Sequence, residues 1–308
     1  MESPLSLSTE ERRPEPIKAV PVRHYGRWIG GAVVLVLAAL AVRSIIVNPN
    51  FRWELVGPYL FDTRIVKALV TTLWLTVAAM AIGIVGGVIL AVMRLSPNPV
   101  LSGAAGVYIW LFRGTPLITQ LIFWANLSAL YPTFGLGIPF GPEFVTFETT
   151  ATITLPIAAL LGLGLNEAAY MAEIVRAGIS SVDEGQTEAA GALGMTRART
   201  LRRIVLPQAM RVIIPPTGNQ LISMLKTTSL VTVIGYTELT VVVQQIYAQN
   251  YRVIPLLIVA AIWYLVCTSV LTVFQGFIER KYSQSTVRTT GWASRMFGFR
   301  LGQRKERK

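Results

Sequence analysis

Four polar side chains, Asn219, Ser223, Lys226 and Ser229, recur at i, i+4, i+7 and i+10 within an otherwise apolar run. At about 100° per residue they share one stripe of a helix, while Leu221, Met224 and Leu225 turn away. A second apolar run carries Arg113, Gln120 and Trp124 at i, i+7 and i+11, again on one side. An ammonium or guanidinium beside amides and hydroxyls can hold a carboxylate and hydrogen-bond a small polar solute. Lys226 or Arg113 could pair with a carboxylate, and Gln120 and Asn219 could bond its polar groups. The two stripes are expected to face each other or a shared cavity. A plainer alternative stands beside this one: Arg113 snorkels to the aqueous boundary, and Lys226 pairs with Glu167 or Glu173.

Turnover chemistry needs more than this inventory supplies. Asp62 and Asp183 are the only aspartates, the single His (His24) precedes the first apolar run, and the single Cys (Cys267) lies within the last. Acid–base clusters and metal sites cannot be assembled from these, so no catalytic or metal-ligating residue is expected. A phosphate-cradling loop requires Gly-x-x-x-x-Gly-Lys-Ser/Thr, and Lys226-Thr227 lacks the glycines before it. The chain is not expected to hydrolyse ATP by itself.

The elements that must position these residues are set by composition. Of 308 residues, 53% are hydrophobic and 14% charged, against about 25% charged in ordinary soluble domains. The expected fold is all-α, a polytopic membrane helical bundle. Residues 1–27 read as a disordered polar tail. Trp28 to Val47 is a first apolar run. Ala39-Leu40-Ala41 resembles a signal-peptide cleavage site, but the run continues through Arg43, which favours an uncleaved helix. After a short linker, 48–64, five runs (66–93, 104–130, 151–176, 209–236 and 252–279) each reach the length needed to span. Gly83, Gly86, Gly87, Gly103, Ala104 and Gly106 suit close helix–helix contact, and Pro215-Pro216 should open or kink the fourth run.

Basic residues alternate between loops. Five precede residue 28, six lie between Arg176 and Arg211 and nine follow from Arg280, whereas 131–150 and 237–251 have none. Loops rich in Lys and Arg stay in the cytoplasm, which places both termini and the segment around Glu188 inside. The net charge of +12 is thus a topology signal with attraction to anionic lipid, and nucleic acid is not an expected partner.

The segment 183–207 projects from the spans. Gln186 to Leu193 reads as a small-residue helix broken by Gly194. A second helical piece to about Ile204 shows Leu201, Ile204 and Val205 on its apolar side and Arg197, Arg199, Arg202 and Arg203 elsewhere. Pro207 is expected to force a turn into the next span. By composition alone, this pair of helices could lie flat on lipid headgroups.

The spacing Glu188-Ala189-Ala190, Gly194, Ile204-x-Leu206-Pro207 resembles the signature loop of importer-type ABC transporter permeases. "FRGTPLITQLIFW" (112–124), "AYMAEIVRAGISSVDEGQTEAAGALGM" (169–195) and "LPQAMRVIIPPTGNQLISMLKTTSL" (206–230) look like the polar amino-acid branch, the histidine/glutamine permease group. The likeness covers roughly 60–282. It departs at the tail and helix 28–47, which are additional to a five-helix core, and at Glu167, where an uncharged residue would be usual.

That resemblance implies a permease subunit that moves polar amino acids into the cell. Its coupling loop, with Glu188, Ala189, Ala190, Gly194, Ile204, Leu206 and Pro207, would dock on a separate ATP-binding cassette subunit that binds ATP and Mg. It further implies a second permease chain, identical or not, an extracytoplasmic binding protein, and a multi-pass place in a bacterial inner membrane. Residues 283–308 would be a basic cytoplasmic tail. The alternative is an ion-coupled secondary transporter, whose intramembrane carboxylates could only be Glu167 and perhaps Glu173. No internal repeat supports it.

Overall fold

A computed structural model describes residues 25–138 and 143–282. The expectations for the tails 1–24 and 283–308, and for His24, lie outside the described residues.

The chain divides into two compact units, Met1–Phe51 and Arg52–Lys308. The first holds helix α1 (Tyr25–Val47), followed by a 3₁₀ turn, Pro49–Phe51. At 1.5 Å per residue α1 is roughly 35 Å long, enough for a hydrocarbon core of about 30 Å. Every residue in it is exposed.

In the second unit the expected linker contains a short helix, α2 (Trp53–Leu60), which buries Val56. Asp62 then caps α3 (Thr63–Arg94) by accepting the Arg64 N–H at 2.9 Å, as an N-cap carboxylate should. Asn98 caps α4 (Pro99–Gly114), with Pro99 at its first position.

Here the structure corrects the expectation from sequence. The run 104–130 is not one continuous helix. Pro116 holds Thr115 in extended backbone (φ −112°, ψ 143°), and α5 (Leu117–Ala125) starts as a separate helix. Arg113, Gln120 and Trp124 therefore do not share a helical stripe. Thr133–Gly137 (β1) and Glu143–Glu148 (β2) form an antiparallel hairpin pairing Thr133 with Glu148, where only a loop was expected. The short α6 (Thr149–Thr152) begins at buried Thr149, whose hydroxyl donates to the Tyr131 carbonyl.

Helix α7 (Leu155–Ser180) is the central span, packed on α3, α4 and α5. Glycines set the spacing. A Cβ on Gly87 would lie 2.4 Å from Met171 Cβ, and one on Gly83 would lie 2.5 Å from Glu167 Cγ. Expected small-residue contact is thus realised at Gly83, Gly86 and Gly87 against α7. Gly103 faces open space instead, and Gly106 receives the Arg94 guanidinium.

After α8 (Glu184–Ala192) and α9 (Arg197–Thr200), a π-helical segment, Leu201–Val205, leads straight into α10 (Leu206–Thr227) and a 3₁₀ segment, Thr228–Ile234. The expected turn at Pro207 is absent. Leu206 is helical (φ −58°, ψ −45°), because Pro207 sits in the first turn of α10 just after the wider π winding, where its ring and missing N–H are tolerated. Nor do Pro215 and Pro216 open α10; both lie inside it, as neighbouring helices permit in membrane spans. Residues 237–251 are not a loop either. After a 50° bend, α11 (Leu239–Asn250) packs Val242, Val243 and Ile246 against Leu69 of α3 and Leu256 and Val259 of α12 (Val253–Tyr282).

Among the described residues, by length and composition, four helices can each span a membrane, or five with the bent Arg197–Asn250 pair. The remaining expected span is the broken α4–α5 pair.

Candidate functional site

Two features carry the expected function: a knob between α7 and α10, and a polar stripe on α10.

The knob starts within three residues of α7. Asp183 caps α8 by accepting the Gly185 N–H at 2.8 Å. Ala190 is buried, while Glu188 and Ala189 are exposed, leaving a free acidic face on the outside. Gly194 takes a left-handed φ of 74°. Its N–H donates to the Gly191 carbonyl at 2.9 Å, and the Met195 N–H reaches back to Ala190 at 3.0 Å. This pair of bonds closes a helix C-terminus and reverses the chain, so Gly194 is the corner that its residue type led one to expect. Val205 is buried, Ile204 is half-buried, and Leu206 and Pro207 are exposed. A concavity of about 660 Å³ lies inside the knob, between Ile179 and Val182 on one side and Met195 and Leu201 on the other.

The knob is bolted to the spans. From Arg197 to Ile234 the chain is one helical rod, and Ile213 of that rod packs against Gly178 near the end of α7. α8 packs on the first turns of this rod and joins it through the short corner 193–196.

On α10, Asn219, Ser223 and Lys226 are exposed while Met224 and Leu225 are buried, as the spacing predicts. Lys226 pairs with neither Glu167 nor Glu173 among the described residues. Glu173 is held by Arg176 at 2.8 Å, and buried Glu167 accepts from Gln220 Nε2 at 3.1 Å. Asn219 is tied to α12, since its Oδ1 accepts from Gln275 Nε2 at 2.9 Å. Ser229 lies in the 3₁₀ segment and donates to the Lys226 carbonyl at 2.7 Å.

Arg113 and Gln120 sit differently. The Arg113 guanidinium lies 5.4 Å from the ring centre of Tyr170 on α7, a cation–π distance. Gln120 is buried and closes the α4–α5 break: its amide N–H groups face the carbonyls of Phe112 (3.0 Å) and Thr115 (3.2 Å) and the Thr115 hydroxyl (2.8 Å). Its carbonyl accepts from Asn166 at 3.2 Å. That amide is committed to holding the chain together. Among the described residues no hydrogen bond or ion pair joins Arg113 or Gln120 to the α10 stripe. Instead Gln120, with Phe112 and Trp124, walls an apolar groove of about 460 Å³ at the break.

Sequence reasoning missed Glu238. It is fully buried and accepts from the N–H groups of Thr240 (2.8 Å) and Val241 (3.1 Å), and from the hydroxyls of Thr72 (3.1 Å), Thr232 (3.3 Å) and Tyr264 (3.0 Å). One carboxylate thereby ties α3, α11, α12 and the end of the rod. The only available signal was an acidic residue just ahead of an apolar helical run.

Known proteins resemble the chain along the same lines. Residues 83–284 match the family model described as a binding-protein-dependent transport system inner membrane component. The arginine transport system permease protein ArgU of Corynebacterium glutamicum is 49% identical over 279 residues, which cover 90% of this chain and 86% of that one. The glutamine transport system permease protein GlnP of Escherichia coli is 34% identical, over 75% of this chain and 98% of its own. Among solved structures, an amino acid ABC transporter with histidines superposes with a TM-score of 0.60 at 36% identity, covering 71% of this chain and 94% of that one. The MetNI methionine ABC transporter, at 18% identity and a TM-score of 0.52, shares the fold.

Proposed function

The chain belongs to the family of binding-protein-dependent transport system inner membrane components, and from that premise we propose how its parts divide the work. It is the membrane permease subunit of an amino-acid ABC importer rather than an ion-coupled secondary transporter. The knob from Asp183 to Pro207 docks on a separate ATPase subunit that binds ATP and Mg, with Glu188, Ala189 and Ala190 at the contact. Gly194 sets the corner, and Ile204, Leu206 and Pro207 join the knob to the span. A second permease chain completes the pathway, because one knob engages only one ATPase subunit. An extracytoplasmic protein delivers the amino acid, and both termini lie in the cytoplasm.

The observation that carries this reading is the continuous helical rod that runs from Arg197 in the knob to Ile234 in the span. When ATP draws two partner subunits together, a knob packed on the start of that rod converts the movement into a tilt of α10 against α7. The polar stripe then turns between the two sides of the membrane. In the pathway, Lys226 faces the amino acid's carboxylate and Asn219 its polar groups, with Ser229 at the outer end. Arg113 and Gln120 shape the neighbouring α4–α5 break.

Glu188→Lys tests the docking. The side chain is exposed, so the variant should fold and reach the membrane normally. ATP-driven uptake of arginine and of glutamine, the solutes named for the relatives, is expected to fall at least ten-fold together with retention of the ATPase subunit, a loss of about 1.4 kcal/mol or more. Full retention and uptake would sink the reading.

A further inference from the structure

The residues assigned to docking leave the knob's arginines without a role. Arg199, Arg202 and Arg203 stand at i, i+3 and i+4 on the rod, so they share one face. With Thr196 and Ala198 they line a groove of about 470 Å³. All three are exposed, and the ion pairs among the described residues involve other arginines. Three guanidiniums so close repel one another across a single turn. Such a face suits an anion with several acceptor oxygens, which the planar fork of arginine matches.

The next two turns of the rod identify the anion's source. Leu206 and Met210 continue the same side at i+4 and i+8 from Arg202, and both are apolar and exposed, at 37% and 38%. Positive charge and then exposed apolar surface is the order of a phospholipid, headgroup before acyl chain. The depth agrees. At 1.5 Å per residue, Arg202 and Arg203 lie roughly 9–11 Å before the apolar run that starts near residue 209, and Arg199 roughly 15 Å. Each interfacial layer is about 5–8 Å thick, so the two deeper arginines reach along their stems to the phosphates and Arg199 closes the groove from the aqueous side.

We propose that Arg199, Arg202 and Arg203 bind the phosphate of an anionic phospholipid in the cytoplasmic leaflet, and that this lipid steadies the rod as the knob drives it. The inference rests on the reading of the knob as a cytoplasmic dock.

The assembled transporter, with its ATPase and binding protein, is reconstituted in phosphatidylcholine vesicles and in vesicles containing about one-quarter phosphatidylglycerol. Uptake by the parent should rise several-fold with phosphatidylglycerol. The variant Arg199→Gln/Arg202→Gln/Arg203→Gln should match the parent in phosphatidylcholine and show no rise. If that variant fails to reach the membrane, Arg202→Gln alone should need about five-fold more phosphatidylglycerol for half-maximal uptake. An equal response in parent and variant overturns the proposal. Loss of the ATPase subunit from the purified triple variant also overturns it, because the arginines then belong to that contact. Failure of the underlying reading shows separately: in a Cys267→Ser background, Ala198→Cys would react with an impermeant thiol reagent from outside the cell.

Discussion

Glu167 of α7 and Gln220 of α10 meet side chain to side chain at 3.1 Å inside the bundle, and Gly83 of α3 packs against the Cβ and Cγ of the same glutamate. Three spans converge there on one polar contact. Because the carboxylate is 6% exposed, its partner matters more than its charge.

Removing the partner should therefore cost more than removing the charge. Gln220→Leu leaves a buried carboxylate without its donor and is expected to destabilise by about 1–3 kcal/mol. Glu167→Gln keeps the shape and leaves an amide pair, and should cost less. Thermal unfolding in detergent of both variants and the double variant measures the coupling; equal losses from the two single changes would refute the asymmetry.

The α3–α7 spacing makes a second expectation. Gly83→Val and Gly87→Val place atoms where Glu167 and Met171 already stand, and each should lower stability by about 1–3 kcal/mol through overpacking. Gly103→Ala meets nothing within 4 Å and should be neutral or stabilising by up to about 1 kcal/mol. Melting temperatures of the three should fall into those two groups.

Glu238→Ala strips the cap from α11 and removes an acceptor from three hydroxyls, of which Thr72 keeps the Ala68 carbonyl and Tyr264 keeps the Thr240 hydroxyl. Cap loss costs about 0.5–2 kcal/mol, and the lost hydroxyl hydrogen bonds about 0.5–1.5 kcal/mol more. Amide exchange should quicken across 239–250 before the rest of the bundle loosens. Unchanged protection of α11 would show that apolar packing alone holds it.

Asp62 supplies a pH dependence outside the spans. The hydrogen bond from the Arg64 side chain (2.8 Å) holds the Asp62 carboxyl below its ordinary value. A carboxylate with a depressed folded-state pKa adds stability above its unfolded value of about 3.9, and that contribution disappears as pH falls through the folded-state value. Asp62→Asn retains a cap but not the charge. The parent's small advantage over it at neutral pH should shrink below about pH 4; a gap that stays constant to strongly acid pH would exclude this origin.

Much of the fold was legible in the chain because its signals are local. The inward-facing Leu225 and outward-facing Lys226 follow from helical period, and Gly194 from the left-handed backbone that a helix terminus prefers. Pro116 shows the limit. It is as visible as Pro215 and Pro216, yet it breaks its run while they do not. Proline withdraws a hydrogen bond everywhere; whether the helix continues depends on what packs against it. Gln120 can close the first break with its own amide, whereas α10 continues as a helix packed between α7 and α12.

The amino-acid order by itself determined the membrane class, the long apolar helices α3, α7 and α12 and the corner at Gly194, since hydrophobic length and backbone preference act over short stretches. Tertiary structure alone decided that Gln120 is a staple, that Glu238 ties four elements together and that Lys226 has no carboxylate partner among the described residues of the bundle. Those outcomes depend on which atoms come within about 3 Å of one another, and distances between residues remote in the chain are set only when helices pack.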